Sequence, residues 1–161
     1  MPIPTHVQTM WSAFAAEAGG IEEDRFYEAF GFGDSPSMVD DLGQLVLAGI
    51  KRATAGSVWS YESSGQGVPK PGDLSVVTDS NNVPLCIIET VQVDIVPFDD
   101  VTEEFAATEG EGDGSLDYWR EAHLNYFTRE CERSGRKFSG EMLLACERFR
   151  VVYPPDVRSA A

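Results

Sequence analysis

Hydrophobic positions in the first third of the chain recur every three to four residues, and beyond residue 53 they alternate. Val7, Met10, Trp11 and Phe14 share one helical face, which predicts a helix over residues 6–16 that Gly19 and Gly20 end. Phe26, Tyr27 and Phe30 extend the same reading to a second helical stretch over 22–30. After a turn at 31–34, Ser35-Pro36 gives a helix start, with serine as cap and proline in the first turn. Met38, Val39, Leu42, Leu45 and Val46 form the buried stripe of that helix, and Gly49 stops it. Ile50-Lys51 is then the exit into a β-rich region.

Strands are predicted over 53–60, 74–78 and 85–96, with a polar loop at 62–67, a rigid turn at 69–73 and a hairpin turn at 79–82. Along 85–96, strict alternation puts Leu85, Ile87, Glu89, Val91, Val93 and Ile95 on one face. Glu89 therefore sits among aliphatics unless a bulge shifts the register. A short acidic helix over 99–107 leads into the loop Glu109-Gly110-Glu111-Gly112-Asp113-Gly114, and Ser115 caps a long amphipathic helix running to about residue 134. His123 and Glu130 lie within that helix's apolar stripe (Leu116, Trp119, Tyr126, Phe127, Cys131), with Arg120 at its margin. A closing strand over 142–153 puts Glu147 on a face with Leu143, Ala145, Phe149, Val151 and Tyr153; an ion pair to Arg52 or Arg120 is one way to satisfy it. Helices first and a strand-rich remainder make the class α+β.

Composition narrows the function classes. At 161 residues the chain fits one domain spanning 1–161, and 42% hydrophobic residues suffice for a core. A net charge of −15 argues against extensive binding to a long duplex, since that affinity comes from Lys and Arg on phosphates. A short single strand or one nucleoside in a pocket remains open. Arg129, Arg133, Arg136 and Lys137 cluster at a helix end, where cations suit the dipole. Three cysteines do not make a disulfide framework, and no apolar run approaches a membrane span. With no signal-peptide pattern at the start, the expectation is a cytoplasmic protein. The acidic loop at 109–114 lacks the EF-hand pattern, so neither a metal nor another cofactor is expected. A homodimer is left open.

The element boundary at residues 49–54 and several other segments are jointly distinctive. Phe32-Gly33-Asp34-Ser35-Pro36, the run Leu45 to Thr54, Val68-Pro69-Lys70-Pro71-Gly72-Asp73, Ile88-Glu89-Thr90, Glu109-Gly110-Glu111-Gly112-Asp113, Tyr118-Trp119-Arg120 and Cys146-Glu147-Arg148-Phe149 occur in that order. In combination they resemble the ASCH domain family over residues 26–153, leaving 1–25 as a helical N-terminal extension. The resemblance implies a PUA-like fold, a small β-barrel with flanking helices, and a cleft for an RNA-like ligand. It also implies a choice among a metal-independent amidohydrolase on N4-acetylcytidine or a related modified nucleoside, a single-stranded RNA ribonuclease, and a non-catalytic RNA or nucleotide binder. In the amidohydrolase branch a lysine, a threonine three residues later and a glutamate on a later strand carry the chemistry, and Lys51, Thr54 and Glu89 match those positions.

The residue chemistry is compatible with that assignment. A threonine hydroxyl becomes nucleophilic when a base takes its proton. A lysine with a lowered pKa is such a base, and a glutamate kept neutral by burial protonates a leaving amine. Trp59, Trp119 and Tyr118 are candidate stacking surfaces for a base, and Arg52, Arg120 and His123 complete the expected ligand-binding set. The plainer alternative has Lys51 capping its helix and pairing with Glu89 or a surface carboxylate, and Thr54 as an ordinary strand residue.

Overall fold

A computed structural model describes residues 2–156. Helix α1 (Gln8–Glu17) follows a single 3-10 turn, and strand β1 (Phe26–Phe30) comes next. Helix α2 (Pro36–Leu47) leads to β2 (Ala53–Ser57) and α3 (Val58–Ser64). Strands β3 (Leu74–Thr78) and β4 (Pro84–Pro97), helices α4 (Glu103–Glu109) and α5 (Leu116–Arg133), and strand β5 (Leu143–Tyr153) complete the order. The five strands form one sheet in the order β1-β3-β4-β5-β2, and only β1 and β3 run parallel. This is the expected α+β architecture of a PUA-like fold, with helices flanking the sheet.

Two long strands make the sheet's shape. β4 pairs with β3 through its first half and with β5 along most of its length, while the first half of β5 also pairs with β2. The β4–β5 register slips between Ile87 and Ile88 and again between Thr90 and Gln92. The first places an extra residue, Val152, on β5 and the second an extra residue, Val91, on β4, and each resets the alternation of the strand that carries it.

Helices cover both faces. α4 and α5 bury Phe105, Trp119 and Phe127 against Leu144 and Cys146. α1 packs Trp11 and Phe14 on Phe26, Leu74 and Val152, so the N-terminal extension contributes core. α2 sends Val46 into a third cluster with Phe32, Ile88 and Phe149. Its start is as the sequence predicts: the Ser35 hydroxyl accepts from the Met38 amide and Pro36 opens the first turn.

Two segments depart from the sequence expectation. Residues 22–30 form no helix, because Glu23–Arg25 is a 3-10 turn and the following aromatics run as β1 beside β3. Phe26 and Tyr27 satisfy a helical spacing and a bulged strand alike, and pairing with β3 decides between them. The strand expected over 53–60 stops at Ser57, and α3 replaces the end of that strand and the start of the polar loop expected over 62–67. Gly56 leaves the space that the Tyr61 ring fills; a Cβ there would lie 2.8 Å from the tyrosine oxygen.

Candidate functional site

Two helix exits converge on the lysine. After Gly49, whose positive φ ends α2, the amides of Ile50 and Lys51 both donate to the Leu45 carbonyl. The Arg52 amide then donates to the Thr108 carbonyl, which joins this exit to the end of α4. Gly110 follows α4 in the left-handed region, so near the Ile50 carbonyl that an added Cβ would lie 2.3 Å from its oxygen. Glu109, the last residue of α4, and Glu111 beyond the glycine are thereby turned toward Lys51.

The lysine is 1% exposed and spends all three of its N–H groups. Nζ donates to the Ala53 carbonyl at 2.8 Å, to Glu109 Oε2 at 2.8 Å and to Glu111 Oε2 at 2.7 Å. The Phe32 ring centroid lies 5.2 Å away. Glu109 Oε1 accepts from Trp119 Nε1 at 2.9 Å and faces His123 Nε2 at 3.4 Å. His123 stacks on Trp119 at 4.1 Å between centroids, and its Nδ1 is 2.9 Å from the Trp119 carbonyl.

Burial and charge compete at each group. Burial alone pulls the Lys51 ammonium toward neutrality, but the charges and hydrogen bonds of Glu109 and Glu111 outweigh it and hold it protonated. That reverses the expectation of a lysine with a lowered pKa. Burial pushes Glu109 up, while Lys51 and His123 drive it well below the ordinary carboxylate range. Glu111 is pushed up to about 7 by burial, reinforced by its hydrogen bond to Glu109 and that group's charge. Burial would lower His123, but Glu109 raises it on balance. Glu109, Glu111 and His123 present donor atoms within 4.8 Å of one another, a spacing that would suit a metal. The ammonium already bonded to both carboxylates supplies the positive charge there.

This cluster opens onto a cavity of about 450 Å³ between α2 and α5. Phe32, Met38, Leu42 and Leu45 form one wall, Tyr118, Ala122 and Tyr126 the other, and Lys51, Thr54, Glu109, Glu111 and His123 supply polar groups. Lys51 and Thr54 thus meet in one place. Glu89 does not join them. It lies on β4 opposite Leu74 and Arg150, with Oε2 2.8 Å from Arg25 and Oε1 2.6 Å from Arg150. Its ladder with β3 is continuous over Cys86–Glu89, so Glu89 keeps the face of Ile87, which packs against α1, while Thr90 on the opposite face is buried. The expected pairing of Lys51 with Glu89 is replaced by pairing with Glu109 and Glu111.

Among the expected ligand-binding residues, His123 and Tyr118 line the cavity, and Trp119 lies just behind it, holding Glu109. Arg52 is exposed and joins the frame through its backbone. Trp59 sits under Arg136 at 4.3 Å, and Arg120 lines a separate surface depression with Glu103 and Asp117. Sequence reasoning missed Glu109, Glu111 and Tyr126. The one signal for the first two was two carboxylates flanking a glycine directly after an acidic helix.

Buried carboxyls set a pH dependence for stability. Glu28 is pushed up to about 7, first by burial and then by the charge of Glu147. For Glu28, Glu111 and His123 the folded pKa lies above the ordinary one, so the folded chain binds more protons. The stability they contribute is present below their ordinary pKa values and is lost as pH rises through the folded ones. The melting temperature is therefore expected to fall from pH 5 to pH 8, and Glu28→Gln should flatten part of that slope. A melting temperature that rises over this range would contradict the burial of these groups.

Comparison with known proteins agrees with the fold and the segment order. The family profile described as the ASCH domain matches residues 28–153. The crystal structure of an ASCH domain from Lactobacillus crispatus JV V101 superposes with a TM-score of 0.85 at 34% identity, over 96% of this chain and 98% of that one. Protein EF3133 from Enterococcus faecalis V583, assigned to DUF984, gives 0.83 at 36% identity over 91% and 88%. No curated protein matches the chain. No helix among the described residues is long and apolar enough to cross a membrane. A profile match across most of the chain, with two such structural neighbours, establishes that this protein belongs to the ASCH domain family.

Proposed function

We propose that the cavity takes a modified nucleoside and hydrolyses an amide on it, N4-acetylcytidine being the simplest candidate. The observation that carries this reading is a buried ammonium held between two carboxylates, opening with a threonine hydroxyl onto one aromatic-walled cavity. Its volume of about 450 Å³ lies in the range of small-molecule sites. Tyr118 and Tyr126 provide stacking faces, each such contact contributing roughly 1–3 kcal/mol per base.

Roles follow from protonation. Lys51 stays cationic and stabilises the oxyanion that forms as the amide carbonyl is attacked. Glu111, with a pKa of about 7, exchanges its proton near neutrality, which suits a general acid and base. When Glu111 is protonated, Lys51 is released from one ion pair and turns an N–H toward the ligand. Thr54 is the nucleophile, and the proton-donor role once expected of Glu89 passes to Glu111.

One observation favours a second reading, a non-catalytic binder of a nucleoside or short single-stranded RNA. All three Lys51 donors are already satisfied within the protein. Incubation with N4-acetylcytidine, following cytidine release by chromatography, separates the two. Turnover that drops about 100-fold or more in Thr54→Val supports the hydrolase. Saturable binding of cytidine without turnover supports the binder, and neither turnover nor binding removes both.

A further inference from the structure

Among the described residues, two buried carboxylates lie outside the group around Lys51, and of these Asp73 is paired with Lys70. Glu147 on β5 is 6% exposed and accepts one side-chain hydrogen bond, from Thr90 Oγ1 at 2.6 Å. The ion pair to Arg52 or Arg120 that its position invited does not form. Neighbouring Arg148 turns to Asp94 and Glu104, and Arg150 turns to Glu89. Burying a carboxylate without a cation is costly, and such groups concentrate at functional sites.

Its place in the sheet supplies a reason. Glu147 is directly opposite Thr54 in the antiparallel β2–β5 ladder. Residues so paired put their side chains on the same face, with Cβ atoms about 4.5–5.5 Å apart. Thr54 lines the cavity, and among the described residues its hydroxyl has no hydrogen-bond partner. Gly56, two residues on, presents the same face, where Tyr61 fills the gap. A free hydroxyl facing the cavity thus stands beside a sequestered carboxylate.

We propose that Glu147 is the proton acceptor of Thr54, in a hydroxyl–carboxylate–hydroxyl chain across β2, β5 and β4. This rests on the amide-hydrolysis reading above and gives it the base that Lys51, held protonated, does not supply. The Glu147 carboxylate takes the Oγ1 proton as that oxygen bonds to the acyl carbon, and the resulting oxyanion is held by the Lys51 charge. The C–N bond then breaks as neutral Glu111 passes its proton to the leaving nitrogen, leaving an ester on Thr54. Water attacks that ester and gives a proton to the Glu111 carboxylate. The ester C–O bond breaks and Thr54 recovers its proton from Glu147. Amide and water become carboxylic acid and amine, and both carboxyls return to their starting forms.

Burial raises the Glu147 carboxyl, against the Thr90 hydrogen bond and the Lys51 charge. Asp73 before β3 also raises it, and Glu28 and Tyr27 on β1 and Tyr61 on α3 interact with its charge.

The test uses an activated acyl ester, p-nitrophenyl acetate, with mass spectrometry of the acetylated site. In the wild type Thr54 should be acetylated at a rate that rises with pH as Glu147 ionises. Glu147→Gln, which preserves volume and an acceptor for Thr90, should slow acetylation about 100-fold and remove that pH step. Glu147→Asp should keep the step at a reduced rate, and Glu28→Gln should move it without removing it. These two controls distinguish proton transfer from a structural role. Acetylation of Thr54 in Glu147→Gln at the wild-type rate and pH profile overturns the proposal, even with N4-acetylcytidine turned over normally. Labelling elsewhere, or neither label on Thr54 nor Glu147-dependent release of nitrophenolate, also overturns it. Glu147-dependent acetylation of Thr54 in a protein inert to N4-acetylcytidine keeps the proposal and removes the substrate.

Discussion

Lys51→Met is expected to lose about 3–5 kcal/mol of stability, the usual cost of breaking a buried ion pair from one side. In a chain of this length that corresponds to a fall in melting temperature of roughly 6–20 °C. The methionine fills similar space, so the loss comes from electrostatics rather than a cavity. Glu109 is 1% exposed and would keep Trp119, His123 and the Glu111 carboxyl as partners but no full positive charge at high pH. Without the ammonium its pKa rises and it is relieved by taking a proton, so the deficit should be smaller at pH 5 than at pH 8. Glu109→Gln added to Lys51→Met should recover much of the loss, because two neutral groups replace a stranded charge. Calorimetry of the two single variants and the double variant, at both pH values, closes the cycle. A single-variant loss within the range of surface substitutions would mean that the buried pair does not exist.

The same residues show how far the sequence leads. Local chemistry specifies α2 completely: Ser35-Pro36 starts it, the apolar stripe orients it, and Gly49 releases Lys51 toward the interior. Lys51 and Thr54 follow within one short segment, so their meeting was legible. The acidic partner was not, because it comes from an element 58 residues further along, and only packing of α4 beside β2 brings it near. Alternation along β4 favoured Glu89 instead; Glu89 does keep the face of Ile87, but α1 covers that face and Glu89 pairs there with Arg25 and Arg150, away from Lys51. On β5, where the slip beside Phe149 puts its extra residue on β4 and leaves β5 regular from Ala145 to Phe149, alternation correctly put Glu147 on a buried face. Period-two reading therefore holds wherever the ladder is continuous. The aromatic run at 26–30 marks another boundary of the method, since its spacing fits either element and a parallel partner decides it.

Glu111→Gln should lower kcat on an N-acylated nucleoside by about 10²–10⁴-fold while changing KM little, since it removes a proton carrier and not a binding surface. The wild-type rate should decline above pH 7, because Glu111 gives its proton to the leaving nitrogen only when neutral and its pKa is about 7. That decline should be missing from the residual activity of Glu111→Gln. Leaving-group chemistry sharpens the assignment. An amide nitrogen must be protonated to depart, whereas nitrophenolate departs without help. Glu111→Gln should therefore lose far more rate on the amide than in acetylation by p-nitrophenyl acetate, whereas Glu147→Gln should slow both alike. Equal losses on the two substrates in Glu111→Gln would place that carboxyl before C–N cleavage, as a partner that only orients Lys51.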